Sequence, residues 1–253
     1  MTSHLAIEAS KAAVKFSVLR DKRVRETHFI QFDETGSQAR KSELSDRFSE
    51  LPISKVDFDE ITLSWSNAKS TIIPNFVLND SDPNSIYTLC YGTPEDAHSV
   101  DYNRIAEIGV INIYEIPDWI KSYFVIKFPR IAIQHTGSHL VRQIMHENAF
   151  YLKATILLFD GYFLLSMAKH NKLEFYSFFD FTTAEDVIYH LSFALQQKEL
   201  SEEKGTLEIV AGINTNLELQ KELEIIKSKV KDLKQLELKI VEDFIAKSQL
   251  LCV

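Results

Sequence analysis

The chain has 253 residues, 45% of them hydrophobic, and its 28 basic and 36 acidic side chains leave a net charge of −8. That length buries one large core or two medium ones, and an acidic balance without a dense basic stripe excludes a nucleic-acid binder. Cys90 and Cys252 stand far apart, which excludes a zinc ribbon or disulfide framework and suits a reducing cytoplasm. The opening MTSHLAIEASKAAVKF has no long apolar segment and reads as no signal peptide. No run of apolar residues approaches a membrane span.

Residues 4–9 form a short apolar run. Residues 13–19 then alternate Val14, Phe16 and Val18 against Lys15 and Ser17, and a turn at 20–23 leads into 24–32. Three antiparallel strands follow from that pattern. Residues 38–51 carry Leu44, Phe48 and Leu51 at helical spacing, stopped by Pro52. The next part is less regular. Strands are expected at 61–65 and 70–73, a turn cluster at 80–83, and a polar loop at 93–100. A strand at 111–116 leads to a helix with Pro117 in its first position, then a strand at 130–135 and a helix at 137–150.

Residues 153–181 read as three more strands, with Asp160-Gly161 and the stretch 169–172 as turns. Shifted by a constant 149 residues, the two triplets coincide: Ile7 falls on Ile156, Val14 on Phe163, Val24 on Leu173 and Phe32 on Phe181. A duplicated three-strand unit is the economical reading. Thr182 or Thr183 caps a following helix with Glu185-Asp186 in its first turn. A strand between Gly205 and Gly212 comes next, then a helix opening at Asn214 or Asn216. The apolar stripe beyond Leu219 is expected to break near Ser228 into a short strand and a last helix from about Lys239, with a coiled-coil seam as the alternative.

The βββαβα order, met twice, resembles the actin-like ATPase fold, a ribonuclease H-like architecture. More specifically the chain resembles a bacterial family of unknown function with that fold. The likeness is carried by ITLSWSNAKSTIIP (61–74), NIYEIPDWI (112–120), FTTAEDVIYHLSFALQQKEL (181–200), LEIVAGI (207–213) and Cys252. It implies a mixed-sheet α/β protein of duplicated βββαβα units in two lobes. The first lobe is expected at 1–148, with an irregular insertion around 65–110. The second is expected at 149–253, its last helix free to return to the first.

The resemblance also says where nucleotide motifs would stand. The first phosphate loop, Asp-x-Gly in actin-like proteins, falls on Glu8, Ala9 and Ser10, with Lys15 nearby. The second falls on Leu157, Leu158 and Phe159, and the adenine-side glycines on Ala211, Gly212 and Ile213. Glu8, Ser10, Lys15 and Gly212 are therefore the candidate cofactor-binding positions of a degenerate cleft, which either stands open or is plugged by Phe159 and Phe163. Bulky apolar groups replace the magnesium-directed carboxylate and the glycine of the second loop, so no cofactor, metal or catalytic residue is expected. The expected function is a non-catalytic module that binds an unknown protein partner in the cytoplasm. Two alternatives stand beside it: a phosphotransferase using Glu8 at a rearranged cleft, and an assembly scaffold.

Other clusters have ordinary explanations. His135, His139, His146 and Glu147 could suggest a metal but lack HExxH, and a solvated or capping role is expected. Glu8, Lys11 and Lys15 suit an exposed strand edge. Asp57, Asp59 and Glu60 suit a turn, and Trp65 a half-buried strand aromatic. No Cys–His spacing stands out from chance.

Overall fold

The opening run forms β1 (Ser3–Ala9), which pairs antiparallel with β2 (Ala13–Arg20), and β2 pairs with β3 (Arg23–Gln31). Leu5, Ile7 and Ala9 share one buried face with Val14, Phe16 and Val18, as the two-residue period of a strand dictates. In α1 (Ser37–Glu50) Leu44 and Phe48, one turn apart, bury against this face, with Phe48 5.0 Å from Phe16 between ring centroids. The chain returns as β4 (Glu60–Trp65), parallel to β1. In this computed structural model the described residues are 3–79, 81–147, 150–213, 217–231, 233 and 235–252.

An insertion follows. β5 (Ser70–Pro74), α2 (Pro83–Tyr91), β6 (His98–Ile105) and β7 (Val110–Pro117) build a three-stranded antiparallel sheet in the order β5-β7-β6 beside α2. Two of these elements differ from expectation. The expected turn at 80–83, whose residue 80 lies outside the described residues, leads into a helix at Pro83, because the Asp82 carboxylate accepts the N–H groups of Asn84 (2.8 Å) and Ser85 (3.2 Å) and Pro83 fills the first helical position. The expected polar loop becomes β6 from His98 on, because its backbone pairs along the whole of β7. α3 (Asp118–Lys127) starts one residue after Pro117, and β8 (Ala132–His135) lies parallel to β4. The first main sheet therefore runs β3-β2-β1-β4-β8. α4 (Thr136–His146) follows, ending short of the expected 150.

The second sheet repeats the first. β9 (Leu152–Leu158), β10 (Tyr162–Lys169) and β11 (Lys172–Asp180) form the antiparallel triplet; α5 (Ala184–Gln197), β12 (Gly205–Ala211), α6 (Leu217–Val230) and β13 (Leu236–Ile240) complete the order β11-β10-β9-β12-β13. The 149-residue shift holds at the level of register: Ile7 faces Phe16 as Ile156 faces Leu165, and Ala13 faces Gln31 as Tyr162 faces Asp180. It holds for the irregularities too. The bulge between Val18 and Leu19 returns between Met167 and Ala168, and the left-handed turn residues Asp21 and Lys22 return as His170 and Asn171.

Residue 239, expected to begin a helix, lies in β13 opposite Glu208. The last helix is α7 (Phe244–Ser248), extended by a 3₁₀ turn, Gln249–Cys252. The strand interrupts the apolar stripe of the tail, and Leu219, Ile226 and Val230 of α6 go into the core of the second sheet, not a coiled-coil seam. The expected starts of α6 at Asn214 or Asn216 lie outside the described residues. Two units result: residues 1–139 with 245–253, and residues 140–244. Among the described residues no helix is long and apolar enough to cross a membrane.

Candidate functional site

In the first unit the β1–β2 hairpin carries three of the four candidate positions, Glu8 in β1, Ser10 in the turn and Lys15 in β2. Glu8 is 4% exposed, since β1 is flanked on both sides by β2 and β4. The expectation of an exposed strand edge is thus corrected. Its carboxylate meets Lys15 Nζ at 2.9 Å. Ser10 stands at the head of the turn, and its Oγ accepts the N–H groups of Ala12 (3.2 Å) and Ala13 (3.1 Å). Backbone N–H groups at such a turn are what a phosphate would need, and here a serine hydroxyl takes them. Lys11 reaches Glu95 at 2.6 Å, and the Glu95 N–H donates to the buried Glu115 carboxylate. The lysine holds the Glu95 carboxyl below the usual carboxylate range.

In the second unit the equivalent turn carries no polar side chain in the loop positions. Leu157, Leu158 and Phe159 are all buried. The Phe159 ring stacks on Tyr162 at 4.7 Å and 9°, and its other neighbour is the backbone of Gly212. A Cβ at residue 212 would come within 2.3 Å of that ring, so glycine serves here to admit Phe159. The Gly212 N–H donates to the Leu158 carbonyl at 2.8 Å. Phe163 does not join this arrangement. It points to the other side of β10, into the core with Phe179 and Phe181. Asp160 and Gly161, at the hairpin tip, line a shallow cavity of about 470 Å³ with Phe181, Thr182, Lys221 and Glu222.

Two of the three histidines are buried and one is solvated. His135 is fully buried; its Nδ1 accepts the Gly137 N–H at 2.9 Å and its Nε2 donates to Asn67 Oδ1 at 2.8 Å. The capping half of the expectation holds for this ring alone. Burial drives its pKa down to about 3, against the hydrogen bond to the Asn67 backbone. His139 is also fully buried and faces the Cys252 thiol at 3.3 Å, a pairing the sequence reading missed. His146 and Glu147 are exposed; Glu147 meets Lys153, which also pairs with Glu208 at 3.0 Å. The four groups are not brought together. Among the described residues no three His, Cys, Asp or Glu side chains are placed to hold a metal ion.

Trp65 is fully buried, deeper than expected, with its indole N–H on the Glu115 carbonyl at 2.9 Å. Asn67 donates to the same carbonyl at 3.2 Å. Asp59 receives the Ser3 N–H (2.7 Å) and hydroxyl (3.0 Å), which hold its pKa below the ordinary value.

Comparison with known proteins bears on this geometry. The profile of a family described as protein of unknown function, DUF3822, matches residues 2–226. Among curated proteins none matches the chain. Among solved structures the chain is similar to a Bacteroides thetaiotaomicron protein described as having an actin-like ATPase fold and unknown function. The TM-score is 0.79 with 14% identity, over 100% of this chain and 96% of that one. It is also similar to a structure described as the PilM-PilN type IV pilus biogenesis complex, with a TM-score of 0.55 and 9% identity, over 94% of this chain and 88% of that one. The duplicated mixed sheets have the actin-like ATPase fold.

Proposed function

The chain belongs to the DUF3822 family of proteins of unknown function, and from that premise we propose that it is a non-catalytic module that binds a protein partner on an actin-like skeleton. The observation that carries this reading is the Phe159 ring laid directly on the Gly212 backbone. By resemblance these are a phosphate-loop position and an adenine-motif position. Phosphoryl transfer depends on positioned N–H donors and carboxylate-held magnesium. Leu157 and Phe159 supply no carboxylate, and the ring occupies the space a ligand would take against the glycine. The first turn supports the same reading: Ser10 Oγ uses the N–H groups of Ala12 and Ala13, and Lys15 is paired to Glu8.

A protein partner is favoured because the fold is kept while its small-molecule positions are filled. PilM, which shares the fold, is described in complex with PilN. The cytoplasm is the proposed setting, since Cys90 and Cys252 stand far apart in the chain and suit a reducing compartment.

Isothermal titration of the full chain with ATP and magnesium tests the reading. No heat of binding is expected up to millimolar nucleotide. Magnesium-dependent binding in the micromolar range would overturn it.

A further inference from the structure

Cys252 ends the 3₁₀ turn Gln249–Cys252, which lies over β4 and β8 of the first sheet. Its sulfur is 3.3 Å from Gln134 Oε1 and 3.3 Å from His139 Nδ1. These two neighbours differ in chemistry. An amide oxygen can share the thiol proton but cannot carry it away, whereas an imidazole nitrogen can accept it outright. His139 is fully buried, while Cys252 is only half-buried. The base is sheltered and the sulfur keeps a route to solvent.

A second observation comes from the same turn. Gln249 is 0% exposed; its Oε1 accepts the Thr62 hydroxyl at 2.6 Å, and its Nε2 has no hydrogen-bond partner among the described residues. Residues three apart in a 3₁₀ turn eclipse one another, which puts Gln249 on the same side of the turn as Cys252. A packed cysteine needs neither an imidazole nor an unused donor beside it. A sulfur that becomes anionic and receives a polar group has a use for both.

We propose that Cys252 is a modification site, a thiol activated by His139 that takes up a small-molecule disulfide. The thiol proton passes to His139 Nδ1, and the sulfur attacks one sulfur of the disulfide. The new S–S bond forms as the old one breaks. The departing thiolate takes the proton back from His139, so Cys252 is oxidised to a mixed disulfide and half of the small molecule is reduced to a free thiol. This inference is independent of whether the protein binds nucleotide.

The chain carries its own control in Cys90, which is exposed on α2. The full-length protein is incubated with oxidised glutathione, and separately with iodoacetamide, across pH 5.5 to 9, and labelling at each cysteine is followed by mass spectrometry. Accessibility alone makes Cys90 the faster. The proposal expects the Cys252 profile to rise at lower pH, giving about a tenfold rate advantage near pH 6.5. In His139→Asn, that advantage disappears. If Cys90 reacts faster at every pH, or if a folded His139→Asn variant keeps the wild-type Cys252 profile, the proposal is overturned. Should the variant fail to fold, the wild-type comparison of the two cysteines decides alone.

Discussion

His4 and His135 show how a single side chain can set the acid limit of this fold. Burial lowers the pKa of His4 from 6.5 to about 4 and that of His135 to about 3. Both rings are neutral in the folded protein, and an unfolded chain protonates them more readily. Their contribution is therefore complete above pH 6.5 and falls as pH drops toward the folded values. Each group removes about 1.4 kcal/mol per pH unit across that window. Urea denaturation between pH 7 and 5 is expected to show stability falling with a slope near two protons, and His135→Gln should remove about one of them. A flat profile over this range, where most carboxylates have finished titrating, would show that the two rings are solvated in the folded state. The sequence alone could not reveal this. His135 is fixed by Asn67, and its backbone N–H donates to Asn103 Oδ1; these partners are distant in the chain and meet only once β4, β6 and β8 are assembled.

At the scale of elements, the repeated triplet was legible because period-two alternation and turn residues are local signals. The constant 149-residue shift in apolar positions anticipates the shared register and the shared bulge. The helix α2 and the strand β6 were not legible as such. Asp82 and Pro83 carry a helix-start signal, but the helix buries only Ile86 and Tyr87, and β6 has its polar residues on both faces. The repeat also exposes where the copies diverge. His4 and Thr62, 2.7 Å apart, correspond in register to Lys153 and Glu208, 3.0 Å apart, so a neutral pair in one unit is an ion pair in the other. Gly212 and Phe159 form a second divergence, because the first unit has Ser66 and Ser10 at the matching positions, the Ser66 N–H donating to Ala9 as the Gly212 N–H donates to Leu158. Gly212→Ala is expected to cost about 1–3 kcal/mol, as its Cβ meets the ring. Phe159→Ala alone should cost about 3–5 kcal/mol. The double variant should be less destabilised than the two losses added, since removing the ring makes room for the methyl group. Strict additivity in urea titrations would mean the ring and the glycine do not meet.

The whole molecule has one feature that local signals cannot carry. The chain leaves the second unit after β13, yet residues 245–253 belong to the first. Ala246 and Leu250 pack with Ala6 and Leu19, and Gln249 accepts the hydroxyl of Thr62, which in turn bonds His4. This segment therefore covers the face of the first sheet opposite the α1 side, and the stability of β1 and β4 depends on residues about 180 or more positions further along the chain. A chain shortened to end at Phe244 should lose about 3 kcal/mol or more in the first unit, from the exposed apolar surface and the loss of the Gln249 acceptor from the buried Thr62 hydroxyl. Hydrogen exchange resolves the effect by element. Amides of β1, β2 and β4 should lose protection while those of β9, β10 and β12 keep theirs, because residues 245–253 belong to the first unit and Ala246 and Leu250 pack with Ala6 and Leu19. Equal loss in both sheets would mean the two units unfold as one cooperative body, and unchanged protection in β1 and β4 would mean the segment contributes nothing to the first.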